Sequence, residues 1–325
     1  MNSSDALKPL ISTDCLAELE SASKVRVIEV DVSPAAYNAG HIPGALFWNV
    51  YKDLLQPDYR IIEREAFAKL LSSSGILPDT RVVVYGYAGA MAFWMMTHYG
   101  HQRVSFLDGS RTKWAAEARP LTGEVSPVDP SRYEVEELHL VRDDIRATHT
   151  MVHELLGDPD HQFMDVRSVA EYTGERFWPS LAPAGDQRGG HLPGAVLMPI
   201  EEGWSSDGSF KPVVELRAMY ETRGFSPDKE IITYCAVGGR ASQAWLVLTY
   251  LLGYPRVRLY DGSWIEWGTL PGVPLFNLLG TASPDILYRA GRWMQVVRRR
   301  GTPSPPRMGL PNQSATEAPS GLVMT

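Results

Sequence analysis

The sequence predicts an α/β protein made of two tandem copies of one domain, each copy a mostly parallel sheet with helices on both faces. Three observations predict it. The 325 residues exceed the usual size of one compact domain, which is roughly 100–150 residues. Several unusual strings occur twice, in the same order and at a nearly constant separation. Within each copy, short β-branched runs alternate with helical patterns, which is typical of crossover units on a parallel sheet.

The repeat is visible in three pairs of strings. Residues 41–45 (HIPGA) match residues 191–195 (HLPGA), the segment 75–86 matches 224–235, and Asp-Gly-Ser at 108–110 with Trp114 matches Asp-Gly-Ser at 261–263 with Trp267. The offsets are 150, 149 and 153 residues. Because chance agreement of three separate strings in one order is improbable, we infer a tandem duplication with small insertions.

Local patterns predict the individual elements. Runs rich in β-branched residues, bounded by Gly, Pro, Asp or charged turns, predict strands at residues 25–31, 82–85, 163–166, 231–234 and 257–260. Residues 241–252 are good helix formers, and Gly253 gives this helix a natural C-terminal stop. Cys235 therefore ends a strand, and the next helix begins a few residues later.

Composition shifts predict the domain organisation. Residues 120–130 contain several Pro, Gly and Asp residues, which is typical of a linker. Ser283 and Pro284 are typical of a helix start, and the Pro, Ser and Thr residues from Gly301 onward predict a disordered tail. We expect a first domain at 10–120, a linker at 121–144, a second domain at 145–276, and a C-terminal helix with a disordered tail at 277–325.

Charge and composition exclude several function classes. A net charge of −7 gives no basic surface for nucleic acid. The apolar runs are shorter than the roughly 20 residues of a membrane span, and the first residues do not resemble a secretory signal, so we expect a cytoplasmic protein. Two cysteines support neither a disulfide framework nor a four-thiolate zinc site. A monomer is the working expectation.

The segment from Cys235 to Arg240 (CAVGGR) carries the expected chemistry. Backbone N–H groups of a tight loop converge on one point, and the following helix adds partial positive charge, so this location favours the thiolate over the thiol. Gly238 and Gly239 let the backbone approach a ligand, and Arg240 would add a cation for an anionic donor. Cys15 has neither glycines nor a cation beside it, and we interpret it as a packing residue.

The first copy lacks this chemistry. Gly86 stands where the second copy has Cys235, and Met91 stands where it has Arg240. The flanking matches fix this register. We therefore expect the first copy to be catalytically inactive and to form one wall of the active cleft, because sites prefer domain interfaces.

These motifs resemble those of the rhodanese family of sulfurtransferases. The resemblance rests on the two HxPGA strings, the six-residue loop at 235–240, and the DGSWxEW string at 261–267, and it covers nearly everything from 10 to 276. It implies two tandem rhodanese-like domains and a sulfane sulfur carried by Cys235 as a persulfide. It implies no metal and no organic cofactor. The loop N–H groups of Ala236, Val237, Gly238, Gly239 and Arg240 would cradle that sulfur. Arg188 would bind substrate by its position, whereas His41 and His191 are expected to be structural.

The donor and the acceptor are less sharply defined. Family members that use thiosulfate often carry a second basic residue after the cysteine, where this chain has Ala236, whereas the 3-mercaptopyruvate type usually ends its loop with a small or hydroxylated residue and not with Arg240. We favour thiosulfate, with cyanide or a thiol as acceptor, and keep 3-mercaptopyruvate as the alternative. A phosphatase would need Cys-x5-Arg, but the spacing here is Cys-x4-Arg. A non-catalytic sulfur-binding or interaction module is the remaining class, and Cys235 argues against it.

Overall fold

The computed structural model describes residues 7–19, 24–177 and 187–277. All of them belong to one compact unit spanning residues 1–282. The predicted helix after Ser283 and the predicted tail lie outside the described residues. None of the described helices is long and apolar enough to cross a membrane.

The first copy contains a five-stranded parallel sheet in the order β1-β5-β4-β2-β3. Its strands are β1 (Leu10–Ile11), β2 (Val25–Asp31), β3 (Leu46–Asn49), β4 (Arg81–Tyr85) and β5 (Val104–Leu107). Its helices are α1 (Thr13–Leu19), α2 (Ala35–Ala39), α3 (Arg64–Ser73), α4 (Gly89–Tyr99) and α5 (Ser110–Ala116), with a π-helical turn at Val50–Leu54. Short 3₁₀ turns at Val135–Glu137 and Asp143–Ile145 follow before the second sheet.

The second copy repeats this order as β6-β10-β9-β7-β8, again all parallel. Its strands are β6 (Arg146–Ala147), β7 (His161–Asp165), β8 (Val196–Leu197), β9 (Glu230–Tyr234) and β10 (Val257–Tyr260). Its helices are α6 (His149–Glu154), α7 (Val169–Thr173), α8 (Val213–Thr222), α9 (Gly239–Leu246) and α10 (Ser263–Trp267), with a 3₁₀ turn at Ile200–Gly203 and a π-helical turn at Val247–Leu251. The predicted fold class is confirmed.

The burial of the two central strands explains why the sequence predicted them clearly. β4 and β9 lie in the middle of their sheets, and their last four residues are fully buried. Strands covered on both faces read as continuous apolar runs, which is the pattern that predicted them. The predicted bounds of β2 and β10 are confirmed, and β4 and β9 each begin one residue earlier than predicted. The predicted strand at 163–166 begins two residues earlier and ends one residue earlier than expected, as β7.

The helix predicted at 241–252 begins earlier and is less regular than expected. α9 starts at Gly239, and its continuation over Val247–Leu251 is π-helical. Gly253 adopts a positive φ of 72°, which ends the helix as predicted. The early start places the first turn of α9 directly after the cysteine loop.

The two copies pack through their matching helices α4 and α9. Phe93 on α4 contacts the rings of Trp245 and Tyr250, with centroids 6.3 and 5.5 Å away. The Gln243 side chain on α9 donates a hydrogen bond of 2.8 Å to the carbonyl of Tyr87. Because both helices begin directly after the matching loops, this packing brings the two loops together.

Candidate active site

Cys235 lies directly after the buried strand β9 and is only 1% exposed. Its N–H donates to the Ser263 hydroxyl at 3.2 Å, and its carbonyl accepts from the N–H of Trp264 at 2.9 Å. The carbonyl of Ala236 accepts from the N–H of Ile265 at 3.0 Å. The start of α10 therefore holds the first two residues of the cysteine loop in place.

This use of the Asp-Gly-Ser string was not expected, because the sequence analysis used it only as evidence of the repeat and of the family resemblance. Ser263 has a left-handed backbone with φ of 51°, and Ser110 of the first copy has φ of 54°. Ser110 also accepts a hydrogen bond from the residue at the loop start, here the N–H of Gly86 at 3.2 Å. The recurrence of the string at a similar distance from both loops was the signal that could have revealed this role.

The two loops differ in whether their backbone N–H groups have hydrogen-bond acceptors. In the first copy, the N–H groups of Ala88, Gly89 and Met91 donate to backbone carbonyls at 3.0, 3.1 and 2.9 Å. In the second copy, the structure records no acceptor among the described residues for the N–H groups of residues 236–240. Gly238 has φ of 87°, which reverses the chain just before α9. The second loop therefore has N–H donors available for an anion, whereas three N–H groups of the first loop already donate to backbone carbonyls.

A cavity of about 30 Å³ lies beside Cys235, between the two copies. It is lined by Val32, Val50, Tyr51, Tyr87 and Ala88 of the first copy and by Cys235, Ala236, Val237, Gly239 and Arg240 of the second. The first copy therefore forms one wall of this cavity, in agreement with the sequence analysis. Burial raises the pKa of Tyr51 and of Tyr87 to about 12, so both phenols stay protonated near neutral pH.

Arg240 is bound to a partner that the sequence analysis missed. Its guanidinium donates two hydrogen bonds to the Glu171 carboxylate, Nη1 to Oε2 at 2.9 Å and Nη2 to Oε1 at 2.7 Å. Arg240 and Glu171 are 9% and 3% exposed. Arg240 therefore lies at the cavity, and its charge is already paired with a carboxylate that the sequence analysis did not foresee.

The pKa values of this pair move in opposite directions. Burial alone would raise the pKa of Glu171, but the hydrogen bonds and charge of Arg240, with help from Ser168, lower it to about 2. Burial alone would lower the pKa of Arg240, but its hydrogen bonds to Glu171 and the nearby Cys235 sulfur raise it above its ordinary value. Both groups are charged across the neutral range.

The start of α7 holds Glu171 in position. Ser168 is the N-cap of this helix, and it forms a reciprocal capping box with Glu171. The Ser168 N–H donates to the Glu171 carboxylate at 3.1 Å, and the Ser168 hydroxyl donates to it at 2.8 Å. The string Ser-x-x-Glu is the sequence signature of such a box, but nothing in it indicates a partner 69 residues later.

Arg188 lies away from the cavity. Its guanidinium donates to the carbonyls of Val273 and Leu270 at 3.1 and 2.5 Å, and its own carbonyl accepts from the Trp264 indole at 3.0 Å. It is not among the residues that line the cavity beside Cys235. Arg188 therefore stabilises the segment after α10 through these hydrogen bonds. The geometry does not support the predicted role of Arg188 in substrate binding.

The two histidines of the repeated strings have matching structural environments. The His41 ring stacks on Tyr37 with centroids 3.7 Å apart, and the His191 ring stacks on Tyr172 at 3.6 Å. Each Nδ1–H donates to the backbone carbonyl of the tyrosine on which the ring stacks. This agrees with the structural role that the sequence analysis predicted. Cys15 lies on α1, half-buried, and does not line the cavity.

Comparison with known proteins identifies the family of this chain. A family model described as the rhodanese-like domain matches residues 12–117 and 148–270. The chain belongs to the rhodanese family. A sulfur carrier protein, TtuD of Thermus thermophilus, is 45% identical over 276 residues, covering 82% of this chain and 95% of that protein. A protein of Mycolicibacterium smegmatis, provisionally named a thiosulfate sulfurtransferase, is 39% identical over 272 residues, covering 82% and 96%.

A further relative and a solved structure are also similar to this chain. A Haloferax volcanii rhodanese relative with the same provisional name is 37% identical over 290 residues, covering 85% of this chain and 99% of that protein. Among solved structures, an anaerobic ergothioneine biosynthesis enzyme from Chlorobium limicola matches with a TM-score of 0.75 at 23% identity. That match covers 85% of this chain and 71% of that one, and it shows that the two share a fold.

Proposed function

We propose that this rhodanese transfers a sulfane sulfur from thiosulfate to a thiophilic acceptor through a persulfide on Cys235. The observation that carries the proposal is the contrast between the two loops. The second loop places a cysteine at the end of β9 and leaves the N–H groups of residues 236–240 without a recorded acceptor in the described chain. The first loop has Gly86 at the matching position, and three of its N–H groups already donate to backbone carbonyls.

The reaction takes two steps. The Cys235 thiolate attacks the outer sulfur of thiosulfate, a new S–S bond forms, and the donor's S–S bond breaks with its electron pair leaving on sulfite. An acceptor such as cyanide then attacks the terminal sulfur, which forms thiocyanate and returns the Cys235 thiolate. The persulfide is an anion in a buried site, and N–H donors aimed at such an anion stabilise it without further reorganisation.

Thiosulfate is favoured as donor because Arg240 ends the loop and because the relatives from Mycolicibacterium smegmatis and Haloferax volcanii carry a thiosulfate sulfurtransferase name. The second candidate function is that of a sulfur carrier, which the name of the Thermus thermophilus relative favours. It shares the persulfide step and differs only in the acceptor.

Steady-state kinetics test the proposal. Sulfite release is measured with thiosulfate, and pyruvate release with 3-mercaptopyruvate, each with cyanide as acceptor. We expect the larger kcat/KM with thiosulfate. A larger value with 3-mercaptopyruvate would replace the donor, and phosphate release from an aryl phosphate without any sulfur transfer would overturn the reaction class. Sulfite release that stops after one equivalent with cyanide but continues with a protein thiol would favour the carrier.

A further inference from the structure

Arg240 is the only cation among the described residues that line the cavity beside Cys235. A dianionic donor such as thiosulfate would be expected to use it as a counter-charge. However, Glu171 already engages both ends of its guanidinium at 2.7 and 2.9 Å, and both side chains are nearly buried. The pair contributes one positive and one negative charge, so its net charge is zero.

The internal repeat shows that the two charges occur together. Tyr37 and Tyr172 mark the same place in the two copies, because each hydroxyl donates to the carbonyl of the last residue of its HxPGA string at 2.8 Å. The residue before Tyr172 is Glu171, and the residue before Tyr37 is Ala36. The first copy, which has Met91 in place of Arg240, therefore lacks both members of the pair.

The first-copy replacements also show that the fold does not require the pair. Ala36 lies on α2 and Met91 is buried on α4, so the same helices form around an uncharged pair of positions. Removing a single partner would instead leave a buried charge without compensation, which is strongly destabilising. The copy that carries Cys235 thus has both charges, and the other copy has neither.

We propose that Glu171 is a positioning and specificity-determining residue. It holds the Arg240 guanidinium in place, which stabilises the cysteine loop, and it cancels the Arg240 charge. The loop N–H groups therefore bind the negatively charged donor. This inference rests on the proposed function. It implies that the site accepts anionic donors without a free cation, and that Glu171 limits the affinity for a dianion.

Three variants and the native protein test the inference: Glu171→Gln, Arg240→Met, and the double variant Glu171→Ala/Arg240→Met, which reproduces the side chains of the first copy. The unfolding free energy in urea and the separate values of kcat and KM for thiosulfate are measured for each, at low and at high salt. The unfolding curves establish which variants are folded, and the double variant avoids a buried uncompensated charge.

In the double variant, we expect KM for thiosulfate to stay within about threefold of the native value, because one positive and one negative charge are removed together, while kcat falls because Arg240 no longer stabilises the cysteine loop. In Glu171→Gln, KM should fall severalfold at low salt and rise again with salt, because the Arg240 charge is no longer balanced. Arg240→Met should be less stable than the double variant.

A rise in KM of about tenfold or more in the double variant, equivalent to about 1.4 kcal/mol, would show that Arg240 binds the donor directly and would overturn the inference. An unchanged or higher KM in folded Glu171→Gln would also overturn it. A native protein that forms no sulfite from thiosulfate would instead refute the proposed function, so the two failures are distinguishable.

Discussion

Replacing Ser263 by alanine should reduce the catalytic activity far more than the same change at Ser110, its counterpart in the first copy. The Ser263 hydroxyl accepts from the N–H of Cys235 at 3.2 Å and donates to the carbonyl of Tyr260 at 2.8 Å. Both of these contacts are buried. Without the hydroxyl, the Cys235 N–H has no acceptor, and an unsatisfied buried donor costs about 1–3 kcal/mol.

We expect Ser263→Ala to lose about 1–3 kcal/mol of unfolding free energy and about tenfold or more in kcat/KM, because the loop start moves relative to the N–H groups that hold the sulfur. Ser263→Gly removes the same hydroxyl but relieves the left-handed backbone, whose φ is 51°. It should therefore be more stable than Ser263→Ala by roughly 1 kcal/mol and show a similar loss of kcat/KM.

Ser110→Ala is the matched control. It removes the acceptor of the Gly86 N–H at 3.2 Å in the first copy, where no nucleophile follows. Its stability should fall, but kcat/KM should change by less than about threefold. Urea unfolding and thiocyanate formation from thiosulfate and cyanide measure both quantities. Equal losses of activity in Ser263→Ala and Ser110→Ala, or native activity in Ser263→Ala, would refute this reasoning.

Two further predictions follow from the loops and the ion pair. Gly86→Cys in a Cys235→Ser background should be destabilised and inactive. The reason is that φ at Gly86 is 96° and an added Cβ would lie 2.7 Å from the carbonyl oxygen of Val30. Thiocyanate formation within about tenfold of the native rate would contradict this prediction. The pKa of Glu171 is about 2 in the folded protein against an ordinary 4.5, so its stabilisation is present above pH 4.5 and is lost as pH falls toward 2. The stability advantage of the native protein over Glu171→Ala/Arg240→Met should shrink by about 3 kcal/mol in that range, and a constant difference in urea unfolding would argue against the pairing.

Repeat matching predicted the fold and the position of Cys235 because both depend on local strings. The apolar runs of β4 and β9 and the fixed register between Gly86 and Cys235 were sufficient to place the cysteine at a strand end beside a helix start. The same register underlies the expectation that the first copy is inactive, and the first copy does line the cavity beside Cys235.

The rest of the site depends on contacts between residues distant in sequence, which no local pattern reveals. The Glu171 carboxylate reaches Arg240 only because α7 and the cysteine loop meet in the folded chain. Arg188 was placed by analogy of position, but the carbonyls after α10 satisfy its guanidinium. The difference between the two loops lies in backbone hydrogen bonds, which the sequence does not display.

The central claim is that Cys235 carries the transferred sulfur, and the mass of the intact protein after exposure to thiosulfate tests it most directly. We expect the native protein and Cys15→Ser to gain the mass of one sulfur atom, to lose it on addition of cyanide, and to show the same rate of thiocyanate formation. Cys235→Ser should gain nothing while keeping the native unfolding free energy within about 1 kcal/mol. An added sulfur that persists in Cys235→Ser, or one that disappears in Cys15→Ser, would contradict the account.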